Sequence, residues 1–250
     1  MLSPAPSTPR RIYAGTSGWA YSTWKPGFYP ATQSPRRFLE FYATRLNAVE
    51  VNYTFRKLPT PATVDTWLAA TPRDFRFSFK APQRITHSKR LRECHDAVAE
   101  FCAFLEPFRA AGKLGPVLFQ LPPNFKSDPG RLAAFLAAPA LCCSKAPRIA
   151  FEFRHGAWFS EAIYAVLRAA NAALCIAEGD DLITPEVHTA SHACFRLRRS
   201  GGYTPRQLGV FVKRLQATAT EREVFAFFRH EDEPTGALNA VAFLRRAARA

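Results

Sequence analysis

Polar residues suited to chemistry recur at alternate positions in several short apolar runs. In Val49-Glu50-Val51-Asn52 the valines form one face and the polar residues form the other. Since successive residues of a strand point to opposite faces, polar side chains in such runs are predicted to point away from the large apolar ones. The same alternation selects one set of side chains from five runs: Glu50, Asn52, Lys80, Gln120, Glu152, Arg154 and Arg196.

Two carboxylates among cations suit acid–base chemistry. A carboxylate beside a cation stays ionised and one in a drier place has a raised pKa, so Glu50 and Glu152 can supply a base and an acid. Lys80 suits either a fixed positive charge or a base and Schiff-base nucleophile. The fixed charge is preferred, because Arg154 and Arg196 also favour an anionic ligand. Glu50, Lys80 and Glu152 are the predicted catalytic residues.

Aromatic and histidine side chains follow some of the same runs. Trp19 and Tyr21 follow the apolar run at residues 12–17, and Trp158 follows the run at 148–154. Their rings either stack on a sugar or base or pack the loops. His87 follows the run at residues 76–80 and is a candidate acid or base. The predicted ligand-binding residues are Asn52, His87, Gln120, Arg154, His155, Arg196, Trp19, Tyr21 and Trp158.

A divalent metal is a less favoured alternative, and no cofactor is predicted. No motif has the spacing of metal ligands, and Lys80 and Arg154 would already neutralise the carboxylates. GxGxxG, P-loop and GxSxG motifs are also absent from the sequence. The residues of suitable ligand type are Glu50, Glu152, Glu178, His155 and His230. The other histidines are assigned to the surface or to loops: His95, His188 and His192.

An alternation of strands and helices must position these residues. Strands are predicted at residues 12–17, 48–52, 76–80, 116–121, 148–154, 173–178, 194–198 and 224–230. Helices are predicted at 35–46, 61–70, 95–111, 129–138, 160–170, 205–217 and 236–248. Capping residues followed by proline mark four of the helix starts, at Ser34, Thr60, Asp128 and Thr204.

This element order predicts an α/β fold, a single (β/α)8 TIM-type barrel with an irregular segment after the sixth strand. Residues 1–11 are predicted to be a flexible tail and residues 12–250 the barrel domain. The candidate residues fall in the carboxyl-terminal halves of their strands, where the active sites of such barrels lie. A polar pocket at the barrel mouth is therefore expected.

Composition narrows the class of partner. The 250 residues include 34 Lys and Arg against 20 Asp and Glu, a formal net charge of +14, and 48% hydrophobic residues. This hydrophobic share excludes wholesale disorder. The positive charge is dispersed and partly reflects arginine-rich codon usage, so nucleic acid is a less favoured partner than a small anion.

Targeting signals and cysteines indicate where in the cell the protein is expected to work. The chain contains no apolar run of about 18 residues and starts without a secretory signal, so a cytoplasmic protein with no membrane partner is predicted. The six cysteines show no CxxC pairing. Reduced, buried thiols are therefore expected.

Several stretches together resemble the DUF72 family, also called YecE-like proteins. They begin at Gly15-Thr16-Ser17-Gly18-Trp19, Val49-Glu50-Val51-Asn52-Tyr53, Phe77-Ser78-Phe79-Lys80, Leu114-Gly115-Pro116 and Phe151-Glu152-Phe153-Arg154-His155. The resemblance covers nearly the whole chain from about residue 12. It implies a TIM-type barrel and assigns no reaction, because the family is uncharacterised.

The last third departs from the pattern of that family. Arg198 and Arg199 stand where the seventh strand usually continues with His-Gly, and Arg229 and His230 stand where the eighth usually ends in Asn-Asn. Arginine replacements favour a more anionic ligand or a non-catalytic binder. The favoured function is acid–base chemistry on a small phosphate, carboxylate or sugar derivative. A barrel that binds or processes nucleic acid and a non-catalytic metabolite binder are the alternatives.

Overall fold

Eight parallel strands form a nearly closed barrel. The computed structural model describes residues 12–179, 182–229 and 233–248. The strands are β1 Ile12–Thr16, β2 Ala48–Val51, β3 Arg76–Lys80, β4 Leu114–Gln120, β5 Ile149–Glu152, β6 Ala173–Glu178, β7 His192–Leu197 and β8 Glu223–Phe228. Their order in the sheet is β1-β8-β7-β6-β5-β4-β3-β2, so each strand lies beside its neighbours in sequence. The predicted tail, residues 1–11, and His230 lie outside the described residues.

Helices connect most of the strands, which confirms the predicted (β/α)8 architecture. They are α1 Phe38–Arg45, α2 Pro61–Ala69, α3 His95–Ala110, α4 Pro129–Leu136, α5 Pro139–Cys142, α6 Glu161–Ala169, α7 Pro205–Ala219 and α8 Thr235–Ala247. Short 3-10 turns occur at Ser22–Trp24, Pro35–Arg37, Tyr53–Phe55 and Gly156–Trp158, and a π-helical turn at Arg84–Ser88. No helix in the described part of the chain is long and apolar enough to cross a membrane.

Helix starts follow the capping signals at three of the four predicted positions. The side chains of Thr60 and Asp128 accept hydrogen bonds from backbone amides of the first turn. Thr204 forms a reciprocal capping box with Gln207. Ser34 is the exception, because the residues after it form a 3-10 turn before α1 begins and its side chain makes no capping hydrogen bond in the described structure.

The inward and outward faces of the strands separate as the alternation predicts. Outward phenylalanines such as Phe77 and Phe79 are fully buried and pack on Phe108 of α3. The barrel interior holds a separate apolar cluster of Tyr13, Ala48, Leu118, Ala150, Ala173, Cys175, Cys194, Phe225 and Phe227. Four members of this cluster are each followed, two positions later in the same strand, by a buried polar residue. Because alternate residues share a face, these polar residues also point inward. They are Glu50, Gln120, Glu152 and Arg196.

Side chains bridge the seam where β1 meets β2. The strands share only an isolated bridge between Ser17 and Glu50 among the described pairings. Below it, the Asn47 side chain accepts a hydrogen bond from Ala14 N at 2.8 Å and donates one to Ile12 O at 3.1 Å. The barrel is therefore closed by side chains as well as by backbone pairing.

The connection after β6 is irregular, as predicted, and β7 begins earlier than expected. Residues 182–191 form no helix, and Ile183 makes an isolated antiparallel bridge with Glu178. The assignment of His192 to a surface or loop was wrong, because it is the first residue of β7 and is 2% exposed. Burial lowers the pKa of its imidazole to about 4, although Nε2 lies 3.0 Å from Ile149 O.

The cysteines occupy different environments. Cys175 and Cys194 face each other inside the barrel with their sulfurs 3.6 Å apart. Cys142 and Cys143 are exposed, which corrects the expectation of uniformly buried thiols. Their position follows from the early end of α4, since α5 adds only one short turn before β5.

Candidate functional site

Arg196 joins both carboxylates at the mouth of the barrel. Its Nε and Nη2 donate to Oε2 and Oε1 of Glu50 at 2.9 and 2.8 Å, and its Nη1 donates to Oε2 of Glu152. Burial opposes the charge of Arg196, but the carboxylates of Glu152 and Glu50 outweigh it and raise the pKa of the guanidinium. The planar fork of arginine suits this double bridge between β2 and β5.

Glu50 has further donors besides Arg196. Ser17 donates its hydroxyl to Oε1 at 2.6 Å, and Arg198 Nη2 lies 3.2 Å from the same oxygen. Glu50 is completely buried, and Ser17 lies directly after β1 at the seam of the barrel. This carboxylate therefore fixes Arg196 of β7, Arg198 just after β7 and the residue that follows β1 in one arrangement.

Glu152 connects the same network to Lys80 through an amide. Gln120 Nε2 donates to Oε1 of Glu152 at 2.7 Å, and Gln120 Oε1 accepts from Lys80 Nζ at 2.7 Å. The carboxylate can only accept here, so it orients the amide with its oxygen toward the lysine. Lys80 consequently faces a neutral acceptor.

Phe55 and His87 form the other side of the Lys80 environment. Lys80 Nζ lies 4.1 Å from the centre of the Phe55 ring, and His87 packs edge-on against the same ring at 4.9 Å. Burial, followed by the charge of Arg196, lowers the pKa of Lys80 to about 8. Burial and the charges of Lys80 and Arg154 also lower the pKa of His87. The neutral form of each group is therefore reached at a lower pH than in an unperturbed side chain.

Lys80 is expected to make the folded protein more stable as pH rises from about 8 to 10.5. The folded lysine loses its proton near pH 8, but the unfolded chain keeps that proton up to the ordinary value of 10.5. Deprotonation in this window therefore favours the folded state by about 1.4 kcal/mol per pKa unit. Urea denaturation across the window should show the native protein gaining stability relative to Lys80→Met. A constant difference would contradict the lowered pKa.

A polar cavity of about 660 Å³ opens beside this network. Among the described residues, its wall includes Arg154, Arg196, Arg198 and Arg229, with Glu152 as the one carboxylate. A groove between α4, α5 and α6 is nearly as large, at about 610 Å³, but alanine, leucine and proline form much of its wall. Charge therefore distinguishes the cavity at the mouth better than volume does.

Thr184 adds a polar group to the wall of this cavity. It is 3% exposed, and its hydroxyl oxygen has no hydrogen-bond partner among the described residues. A buried hydroxyl without a partner costs free energy, so a ligand atom at this position would be favoured. Arg154 lies at the open side of the cavity, since its side chain is exposed.

The predicted aromatic residues do not line the cavity in the described structure. Trp158 is completely buried, stacks on Phe153 and donates to Phe125 O at 2.6 Å, which leaves no free face for a ligand and corrects that assignment. Trp19 packs edge-on against a neighbouring tryptophan ring at 5.0 Å. Tyr21 donates its hydroxyl to Ser17 O at 3.0 Å. These two half-buried rings support the loops around the seam.

The remaining predicted residues lie at the edge of the network. Asn52 directly follows β2, and its buried Oδ1 has no partner within the described residues. His155 Nδ1 accepts from Ala157 N at 3.1 Å and caps the short turn before α6. For the metal alternative, the described residues contain no group of three or more His, Cys, Asp or Glu side chains that could hold a metal ion.

Sequence reasoning did not select several residues of the site. Ser17 shares the inward parity of Tyr13, and that signal would have found it. Arg198 shares the inward parity of Arg196, whereas Arg229 stood out only as a departure from the family pattern. Thr184 lies in the irregular connection after β6, where no periodicity indicates which side chains face inward.

The fold and the polar mouth define a TIM-type barrel with a charged network at the carboxyl ends of its strands. The family model "Protein of unknown function DUF72" matches residues 13–250. The chain belongs to the DUF72 family.

Two curated proteins are similar to part of this chain. UPF0759 protein YecE of Escherichia coli K12 is 38% identical over 114 residues, 46% of this chain and 39% of YecE. UPF0759 protein YunF of Bacillus subtilis 168 is 31% identical over 159 residues, 61% of this chain and 54% of YunF. The matched segments therefore span about two fifths to one half of these curated relatives.

Solved structures share the fold. A DUF72 family protein from Thermotoga maritima MSB8 has a TM-score of 0.82 at 24% identity, covering 95% of this chain and 99% of that one. A DUF72 family protein from Enterococcus faecalis V583 has a TM-score of 0.72 at 16% identity, covering 96% and 98%. At these identities the likeness concerns the fold.

Proposed function

We propose that this barrel binds a small anionic molecule at its mouth and acts on it by acid–base chemistry. The observation that carries the proposal is the cavity wall, where the described residues include four arginines and one carboxylate. Guanidinium groups bind phosphate and carboxylate oxygens with paired, charge-assisted hydrogen bonds. The ligand class is a phosphate, carboxylate or sugar derivative small enough for a cavity of about 660 Å³.

The buried network supports this proposal by holding cations in place. Glu50 and Glu152 fix Arg196, and Glu50 also binds Arg198, so these guanidinium groups are ordered before any ligand arrives. Preorganised donors lose less conformational entropy when they bind. The Thr184 hydroxyl, buried and without a partner in the described residues, supplies a neutral donor beside them.

Proton transfer in this proposal falls to Lys80 and His87. The oxygens of Glu50 and Glu152 accept hydrogen bonds from Arg196, which gives these carboxylates a positioning role. Lys80 has a pKa lowered to about 8, and the pKa of His87 is also lowered. Groups that exchange protons near neutral pH are the effective acids and bases.

Binding of inorganic phosphate tests the anion site. Arg198→Gln is expected to weaken phosphate binding about tenfold or more, because a hydrogen bond to a charged group contributes about 1.5–3 kcal/mol. Isothermal titration calorimetry at fixed ionic strength measures the effect. Arg37→Gln is the matched control: it removes the same charge from an exposed ion pair with Glu40 on another part of the surface.

The outcomes separate the proposal from its alternative. Weaker binding in Arg198→Gln alone supports the site, whereas equal losses in both variants would indicate non-specific attraction. Absence of phosphate and carboxylate binding, together with strongly salt-dependent binding of short DNA or RNA, would favour a nucleic-acid barrel instead.

A further inference from the structure

Lys80 differs from the arginines beside it in its bonding. Arg196 and Arg198 form ion pairs with Glu50, whereas Lys80 has no carboxylate oxygen within 4.0 Å among the described residues. Its ammonium group instead donates to the amide oxygen of Gln120. An amine facing a neutral acceptor gives up its proton more readily than one facing a carboxylate.

The chain of hydrogen bonds explains why a glutamine holds this position. Glu152 accepts from Gln120 Nε2, so the Gln120 oxygen is turned toward Lys80 and cannot rotate without losing both hydrogen bonds. The lysine is thus anchored without an adjacent counter-ion. On its other side lies the ring of Phe55, which keeps water from part of the amine.

Nearby cations would bring an anionic molecule close to this amine. The charges of Arg196 and Arg154 both act on Lys80, and both arginines line the cavity. A small ligand whose anionic group binds these arginines would place its remaining atoms near Gln120 and Lys80. Lys80 is half-buried at the end of β3, and Gln120, to which its ammonium group donates, lines the cavity.

We propose that the Lys80 amine forms an imine with the carbonyl carbon of a small aldehyde or ketone that carries an anionic group. This inference rests on the proposed anion site and adds the reacting group of the ligand. Neutral Lys80 attacks the carbonyl carbon, and the carbonyl oxygen takes up a proton to give a carbinolamine. Loss of that oxygen as water leaves the protonated imine. Starting from the protonated lysine, the overall reaction converts one ammonium group and one carbonyl group into one iminium ion and one water molecule.

His87 is placed to move protons in these steps. It contacts the same Phe55 ring as Lys80, and its lowered pKa leaves a neutral imidazole near pH 7. It can take the proton released when the amine attacks and return one to the departing hydroxyl. His87 thereby has a defined function beside the lysine.

Reductive trapping tests the imine. The full-length protein is incubated with glyceraldehyde 3-phosphate or pyruvate and sodium cyanoborohydride, and peptide mapping by mass spectrometry locates the reduced adduct. We expect a single adduct on Lys80, formed at least about tenfold faster at pH 7.5 than any adduct on the exposed Lys57, because the pKa of Lys80 is lowered to about 8 and its amine lies beside the arginines of the cavity. Because the adduct is located in the protein without substitutions, this result does not depend on whether a variant folds.

The pH profile and two controls make the test specific. Trapping on Lys80 should rise with an inflection near pH 8, well below the ordinary 10.5. Lys80→Arg should remove the adduct and Lys57→Arg should leave it unchanged. Equal trapping by uncharged propanal would overturn the requirement for an anionic group. Adducts spread over exposed lysines, or none on Lys80, would overturn the imine.

Phosphate binding distinguishes failure of the imine from failure of the anion site. Where phosphate binds in an Arg198-dependent way and no Lys80 adduct forms, the imine proposal is wrong and the anion site stands. Where phosphate does not bind and no adduct forms, both proposals are wrong. An adduct on Lys80 that inorganic phosphate suppresses supports both.

Discussion

Arg196→Met is expected to lower the free energy of unfolding by about 3–5 kcal/mol, the usual cost of removing one partner from a buried ion pair. Arg196 is 3% exposed, and its guanidinium donates to both Glu50 and Glu152. Without it, the described donors left to the side chain of Glu152 reduce to the amide of Gln120, and Glu50 keeps Arg198 and Ser17. Two carboxylates would then share the barrel interior with much less positive charge.

Urea denaturation of the purified variant measures this loss. Arg168→Met is the matched control, because its ion pair with Glu161 is exposed and worth at most about 1 kcal/mol. Adding Glu50→Gln and Glu152→Gln to Arg196→Met should recover part of the loss, since the buried charges left unpaired are then removed. A loss below about 1 kcal/mol for Arg196→Met would show that water reaches the network.

Local periodicity predicted the inward face of the barrel because strand alternation depends only on neighbouring residues. Glu50, Gln120, Glu152 and Arg196 lie inside as this rule requires, and the strand–helix alternation specified the barrel. Large apolar residues on the opposite face reinforced each strand assignment. The faces of the strands were therefore accessible to sequence reasoning without any knowledge of the tertiary contacts.

Which charged residues contact one another in the network could not be predicted in the same way. Arg196 and Glu50 are 146 positions apart, and their contact depends on the register of strands that are not neighbours in the sheet. Trp158 follows a strand at the mouth but folds back onto Phe153, because burying its ring outweighs its position in sequence. Irregular segments such as that of Thr184 carry no periodic signal at all.

Gly15→Ala is expected to destabilise the protein by about 3 kcal/mol or more, because the new methyl group would collide with backbone across the seam. A Cβ at Gly15 would lie 1.8 Å from Ala48 O and 2.6 Å from the Tyr42 hydroxyl. The same hydroxyl accepts from Thr16 N at 2.8 Å and donates to Ala48 O at 3.0 Å. Tyr42 therefore cannot move aside without breaking the bridge between β1 and β2.

Chemical denaturation compares Gly15→Ala with Gly156→Ala, whose added methyl group meets no heavy atom within 4 Å and should change stability by at most about 0.5 kcal/mol. Equal stability of the two variants would mean that the seam can widen freely. Widening would also separate Ser17 from Glu50, the carboxylate that holds Arg196 and Arg198. Any Gly15→Ala protein that folds should therefore also bind phosphate more weakly, because closing the barrel and ordering its cations depend on the same contact.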